Sequence, residues 1–144
     1  MWREAASRAY TDVEFRVPAN AAALTAAERH LGRSLPSELT GLLLETNGIV
    51  GHHGVDAVWP LEQIVEQNLQ FWSDDSFADL YMPFDALFFF GDNGGGDQFA
   101  FVQTPPRPDV FVWEHEDDSR RWVAGSLLDY LNRSLGRADD GWYR

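Results

Sequence analysis

Four stretches of the chain place apolar residues at helical spacing, so that each stretch has one apolar face and one polar face. In the first, Leu24, Ala27 and Leu31 share a face. Asn20 suits the N-terminal cap of this helix, and Gly32 suits its end. The predicted helices are Asn20–Leu31, Pro36–Thr46 ending at Asn47-Gly48, Leu61–Phe71 and Ser126–Leu135.

Shorter runs of aromatic and β-branched residues predict strands, mostly in the second half of the chain. Phe84–Phe90 and Gln98–Val102 flank a glycine-rich turn and are predicted to form a hairpin. Residues 104–108 contain three prolines and are predicted to be a turn or extended connector. The other predicted strands are Val55–Trp59, Val110–Trp113 and Arg121–Val123. This order predicts an α+β domain, with N-terminal helices and a C-terminal helix packed on a mainly antiparallel sheet.

The hairpin turn, Gly-Asp-Asn-Gly-Gly-Gly-Asp over residues 91–97, is rich in glycine. Glycine adopts positive φ without steric cost, so at least one glycine of the turn is expected to do so. A phosphate-binding loop is the alternative, but the turn carries Asp92 and Asp97, has no Lys or Arg, and precedes a strand. The pattern therefore favours a turn in which Asp92 and Asn93 accept backbone hydrogen bonds. The predicted structural glycines are Gly91, Gly94, Gly95 and Gly96.

The length of 144 residues suits a single domain over residues 1–144, with a core of about 15–135. No apolar run approaches the ~20 residues of a membrane-spanning helix. The N-terminal segment mixes charges of both signs, and the chain has no cysteine, which excludes thiol catalysis and cysteine metal sites. We therefore expect a cytoplasmic protein.

The formal net charge of −12 is concentrated in the middle of the chain. Residues 56–118 hold fourteen acidic residues and one arginine, whereas the net charge is −1 over residues 1–55 and +2 over residues 119–144. Such a charge distribution repels nucleic acid and anionic membranes and attracts a basic partner. The alternative is that the acidic residues only keep the domain soluble.

Acidic residues in the predicted loops are the candidates for contact with a basic partner. Trp113 stands at the edge of the most acidic run and could anchor an interface, although a place in the core of the sheet is slightly favoured. For the Trp142-Tyr143 tail the sequence allows either folding back or exposure. The candidate partner-binding residues are Asp74, Asp75, Asp92, Asp97, Trp113, Glu114, Glu116, Asp117 and Asp118.

Enzyme chemistry has little support in the sequence. His52 and His53 are adjacent, so their side chains diverge, and the His-Glu-x-x-His spacing of a metal-binding helix is absent. Asp92 and Asp97 could face each other as a general acid and base, but both are expected to be solvated residues of the turn. No Gly-x-Ser-x-Gly motif occurs. We therefore predict no catalytic residue, no metal and no cofactor.

Several motifs together resemble the SUKH superfamily. They are Phe15-Arg-Val-Pro, Ala27-Glu-Arg-His-Leu-Gly, Leu35-Pro-Ser-Glu-Leu, Leu42-Leu-Leu, Asn47-Gly and Phe90-Gly-Asp-Asn-Gly-Gly-Gly-Asp-Gln-Phe-Ala, in this order. The resemblance spans about residues 15–135. It implies an α+β fold and a binding protein, because bacterial members are regarded as immunity proteins that neutralise polymorphic toxins, many of them nucleases or other nucleic-acid-modifying enzymes. Some eukaryotic relatives regulate cell-wall synthesis.

Two hypotheses follow from the resemblance and the charge. The first is a non-enzymatic immunity-type protein that binds a specific toxin, with the acidic middle segment against a basic groove. The alternative is a regulatory scaffold that recruits a cellular protein without any toxin. A small hydrolase using residues 91–97 is a third possibility with the least support.

Overall fold

The structure is a computed structural model that describes residues 1–73 and 84–143. Asn20 caps the second helix by accepting a hydrogen bond from the Ala23 amide (2.8 Å), and Gly32 ends it with a φ of 70°. These caps confirm the prediction for that helix. The helices are α1 (Trp2–Ala9), α2 (Ala21–Leu31), α3 (Ser37–Glu45), α4 (Leu61–Ser73) and α5 (Leu127–Leu135).

Two details of the helices differ from the prediction. Pro36 precedes α3 instead of occupying its first position, because its ψ of 135° is extended. The helix also ends earlier, since Thr46 is extended and its buried hydroxyl donates to the Gly48 carbonyl (2.7 Å). Helix α1 was not predicted; its buried face consists of Trp2, Ala5 and Ala6, and alanines give a weak apolar pattern.

Within residues 1–73 and 84–143, seven strands form two antiparallel sheets, which confirms the α+β class. The connector predicted at residues 104–108 is partly wrong, because β6 already begins at Pro106, which pairs with Gln103. Proline is tolerated there because β7 pairs with β6 only from Val110 onward. The start of β6 therefore has a neighbouring strand on one side only. The small sheet contains β1 (Glu14–Phe15), β2 (Ile49–Val50) and β3 (Asp56–Val58); the large sheet, in order, contains β4 (Leu87–Asp92), β5 (Gln98–Gln103), β6 (Pro106–Glu114) and β7 (Ser119–Ala124).

The two sheets meet where β3 lies beside β4. The Trp59 amide donates to the Phe90 carbonyl (2.8 Å), and the Tyr130 hydroxyl donates to the Ala57 carbonyl (2.6 Å). A side chain at Gly91 would overlap the Ala57 carbonyl. Gly91 is therefore a strand residue that permits close approach of two backbones, and its predicted role in the turn is wrong.

Both faces of the large sheet are covered. Successive strand residues point to opposite faces, and Phe89 and Phe90 do so here. Phe89 stacks on Phe71 of α4 with ring centroids 4.5 Å apart, whereas Phe90 packs edge-on against Tyr130 of α5 at 5.0 Å. The core is therefore continuous through the sheet. Within the part of the chain that the structure describes, no helix is long and apolar enough to cross a membrane.

Candidate functional site: the acidic end of the large sheet

Two acidic loops lie at the same end of the large sheet. The β4–β5 and β6–β7 hairpins both turn there, because the strands are antiparallel and adjacent in the order β4-β5-β6-β7. The loops also touch: the His115 Nδ1 lies 3.0 Å from Asp97 Oδ1, and the His115 amide donates to the same oxygen (3.3 Å). We call residues 92–97 and 114–118 the acidic end.

Asp97 is the buried centre of the acidic end. Its side chain is only 6% exposed. Besides His115, it accepts a hydrogen bond from the Tyr143 hydroxyl (2.9 Å), and Asn93 lies within 3.5 Å. The expectation that Asp97 is solvated is therefore wrong. Its carboxylate holds two loops and the C-terminal tail together, since buried carboxylates need such partners.

The glycine-rich loop has the conformation that the sequence predicted. Gly94 and Gly96 have φ of 83° and 109°, which confirms that the turn requires glycine. The Gly94 amide donates to Asp92 Oδ1 (2.7 Å), and the Gly95 amide donates to Asn93 Oδ1 (2.8 Å). The predicted turn chemistry of Asp92 and Asn93 is confirmed.

Asp92 is half-buried and also supports the fold. Its Oδ2 accepts a hydrogen bond from the Trp59 indole nitrogen (2.7 Å). Burial raises the pKa of the Tyr130 hydroxyl, and the negative charge of Asp92 raises it further. The Asp92 charge therefore acts on the groups beneath the loop as well as on the surface.

Two acids of the β6–β7 turn are paired within the molecule. Asp118, with a φ of 59°, accepts hydrogen bonds from Trp113 Nε1 (2.8 Å) and Arg120 Nη2 (3.1 Å). Glu114 accepts from Arg121 Nε (3.1 Å) and Nη2. Asp118, a candidate partner-binding residue of the sequence, therefore holds a core tryptophan.

Glu116 and Asp117 are the exposed acids of the same turn. Hydrogen bonds from the Ser119 side chain and amide lower the pKa of Asp117, so it stays ionised. No partner of Glu116 occurs among residues 1–73 and 84–143. These two side chains present the most accessible negative charge of the acidic end. Asp74 and Asp75, predicted for the same surface, lie outside the described residues.

The aromatic candidates lie inside the molecule. Trp113 is 4% exposed and packs edge-on against Phe84 with centroids 5.2 Å apart. Of the two roles that the sequence allowed for Trp113, its burial agrees with a place in the core of the sheet. We therefore leave Trp113 out of the proposed contact surface. The tail folds back: Tyr143 is buried, and Trp142 packs against Phe99 at 5.3 Å.

The sequence did not reveal the residues that hold the acidic end in place. Tyr143, Arg120 and Arg121 bond the loop acids; the pairing of β6 with β7 brings the two arginines there, and the folded-back tail brings Tyr143. A sequence signal was available for the arginines, because Arg120 and Arg121 follow within three residues of Asp118. Among the described residues, no cluster of three His, Asp or Glu is arranged to hold a metal ion.

The comparisons with known proteins agree with the fold. A sequence profile of the SMI1 / KNR4 family (SUKH-1) matches residues 18–133, which include α2 to α5 up to Arg133 and both loops of the acidic end. A search of curated proteins found no significant match. The resemblance noted from the motifs is thus confirmed over most of the chain, and the protein belongs to the SMI1 / KNR4 family (SUKH-1).

Proposed function

We propose that this protein is an immunity-type protein, which binds a cognate polymorphic toxin and neutralises it without chemistry of its own. Family membership supports a binding protein of this type. We infer binding through the acidic end because two acidic loops meet there, at one end of the large sheet. Glu116 and Asp117 are the outermost charges of that surface.

The toxin that suits this surface is a nuclease or another nucleic-acid-modifying enzyme. Such enzymes bind a polyanion through lysines and arginines, so their substrate surface is basic. An acidic protein surface attracts that region and can cover it. Inhibition then follows from occlusion of the substrate path.

A structural role for the buried carboxylates supports the non-enzymatic part of the proposal. Asp92 and Asp97, the acid and base pair that the sequence suggested, bond instead to Trp59, Tyr143 and backbone amides of the loop. A carboxylate used in this way keeps the loops in place. It is therefore less suited to exchange protons with a substrate.

Growth of cells that express the toxin tests the proposal. The protein encoded by the gene directly upstream is co-expressed with wild-type protein or with the Glu116→Arg/Asp117→Arg double variant. We expect the wild type to restore growth and the double variant to protect poorly. A matched control, Asp12→Arg/Glu14→Arg, has the same change of charge at two exposed residues, one just before β1 and one at its start, and should protect like the wild type.

Two results would contradict the proposal. If the upstream protein is harmless to cells, or if the wild type does not bind it, the immunity function is wrong. Capture of a non-toxic cellular protein through the same acidic end would instead favour the regulatory scaffold.

A further inference from the structure

We propose that a cavity beside the acidic end binds the guanidinium group of an arginine presented by the protein partner. This inference rests on the proposed function, because it adds an anchor site to the surface that contacts the toxin. The cavity has a volume of about 80 Å³. A single water needs only ~10–15 Å³ of such volume, so a group of several heavy atoms fits. Its walls include Asp92, Phe99, Ser134, Arg137, Asp139 and Trp142.

Negative charge reaches the cavity from two residues. Both oxygens of Asp92 are held by hydrogen bonds, from Trp59 Nε1 and the Gly94 amide, so the carboxylate has a fixed position. A carboxylate can accept about four hydrogen bonds, which leaves sites for a guanidinium. Asp139 is a second acidic residue of the cavity wall, and the Gly141 amide donates to its Oδ1 (2.8 Å).

The cation already present is weakly held. Arg137 Nη2 lies 3.4 Å from Asp139 Oδ1, and the two side chains are 58% and 70% exposed. Exposed pairs of this kind contribute little stability and exchange readily with solvent. A partner arginine can therefore take the place of Arg137 at Asp139 at low cost.

The two histidines in the wall do not favour an anion. His52 Nε2 lies 2.7 Å from the Leu135 carbonyl, and His53 Nε2 lies 3.3 Å from the Ala138 carbonyl. A carbonyl oxygen only accepts hydrogen bonds, so each Nε2 must carry its proton and is already used. The charged groups that remain are thus two carboxylates and Arg137.

An aromatic wall favours arginine over a simple ammonium group. Trp142 lines the cavity and packs against Phe99 and Tyr130, which also line it, with centroids 5.3 and 5.7 Å away. Planar guanidinium groups stack well on such rings. Ser134 lines the cavity beside Tyr130, and its hydroxyl lies close enough to the Tyr130 hydroxyl to hydrogen-bond with it.

NMR titration with a short peptide tests the site on the isolated protein. The probe is acetyl-Gly-Arg-Gly-amide, and the control is the same peptide with neutral citrulline, which has almost the same shape. We expect saturable shifts of the Trp142 indole N–H and the Gly94 amide with the arginine peptide, with a Kd on the order of millimolar. Equal shifts with citrulline, or no saturable shift with arginine, would overturn the proposal.

Two variants separate binding from folding. Ser134→Leu places a larger apolar side chain in the cavity wall, so the peptide shifts should disappear while the melting temperature shows that the protein still folds. Asp139→Asn keeps an oxygen for the Gly141 amide but removes the charge, and it should weaken peptide binding. Ser7→Leu, at an exposed position of α1, is the matched control and should bind like the wild type.

The same variants distinguish this proposal from the proposed function. If the cavity anchors the toxin, Ser134→Leu should lower toxin affinity about tenfold or more. If Ser134→Leu and Asp139→Asn bind toxin like the wild type, while Glu116→Arg/Asp117→Arg does not, the immunity function stands and the arginine site is wrong.

Discussion

Two glycines control the shape of the β4–β5 loop, and through it the position of the acidic end. A Cβ at Gly96 would lie 2.7 Å from the His115 ring, and one at Gly94 would lie 2.9 Å from Val55 Cγ2. Both residues also have positive φ, which L-residues adopt at a cost. Gly95 has neither constraint, since the nearest atom to its Cβ is 3.6 Å away.

Alanine substitutions at these glycines should therefore differ sharply. We expect Gly94→Ala and Gly96→Ala to lower the free energy of unfolding by about 1–3 kcal/mol. Gly95→Ala is the internal control and should change it by less than about 0.5 kcal/mol. Urea unfolding of the three variants measures the difference; equal stability of all three would mean that the loop is not conformationally demanding.

At the scale of elements, β4 is the outermost strand of the large sheet, and its outer edge is covered largely by side chains of α4. Asn68 of α4 is fully buried; its amide nitrogen donates to the Phe89 carbonyl (2.8 Å) and its oxygen accepts from the Phe89 amide (2.8 Å). Trp72 Nε1 donates to the Leu87 carbonyl (2.9 Å). Uncovered strand edges invite pairing with other chains, so α4 protects this edge as well as packing on it.

Loss of the Asn68 amide should be costly. Asn68→Leu has a similar volume but leaves the buried amide and carbonyl of Phe89 without partners, so we expect a loss of about 2–4 kcal/mol in the free energy of unfolding. Gln70→Leu, at an exposed position of the same helix, should change stability by less than about 0.5 kcal/mol. Chemical denaturation of both variants gives the comparison, and similar stabilities would disprove the edge-capping role.

Helix α1 is held at its N-terminus by a residue of α3. Glu45 Oε1 accepts hydrogen bonds from the amides of Trp2 (2.9 Å) and Arg3 (3.1 Å), which have no partner within the helix. Burial alone would raise the pKa of Glu45, but these hydrogen bonds and the N-terminal ammonium outweigh it, so its pKa is lowered. The charged form is thus favoured in the folded state.

This lowered pKa makes the contribution of Glu45 depend on pH. Below about pH 4.5 the unfolded chain binds more protons at this residue than the folded one, so the stabilisation is present at neutral pH and lost as the pH falls through the folded pKa. Glu45→Gln should have a lower free energy of unfolding than the wild type near neutral pH. The difference between the two proteins should become smaller towards about pH 3. Urea unfolding midpoints of both proteins across this pH range measure the difference in stability. A difference that does not change with pH would contradict the capping role of the charge.

At the scale of the whole molecule, long helices and the central hairpin could be predicted from the sequence because their patterns are local. The caps at Asn20 and Ser126 and the hairpin register from Leu87 to Val102 agree with those patterns. Of the small sheet only β3 was predicted, within Val55–Trp59; β1 and β2 could not be predicted, because they have two residues each and Glu14 pairs with Val50, far away in the chain.

The candidate site could be predicted only in outline. The sequence placed the negative charge in the two loops that meet at the acidic end, but it could not tell which acids face solvent, because their partners come from other strands and the tail. Tyr143 reaches Asp97, and Arg120 reaches Asp118. The accessible charge is therefore smaller and more local than the net charge of −12 suggests.

The rate at which this protein associates with the upstream-encoded toxin, measured as salt is varied, tests the central claim most directly. The Debye length falls from ~30 Å at 0.01 M salt to ~8 Å at 0.15 M, so steering by the acidic end should weaken over this range. We predict that association of the wild type slows markedly while dissociation changes far less. Glu116→Arg/Asp117→Arg should associate more slowly with a flatter salt dependence, and Asp12→Arg/Glu14→Arg should associate like the wild type. Equal rates and equal salt dependence for all three proteins would contradict this claim. The acidic residues of 92–97 and 114–118 would then serve only to keep the protein soluble.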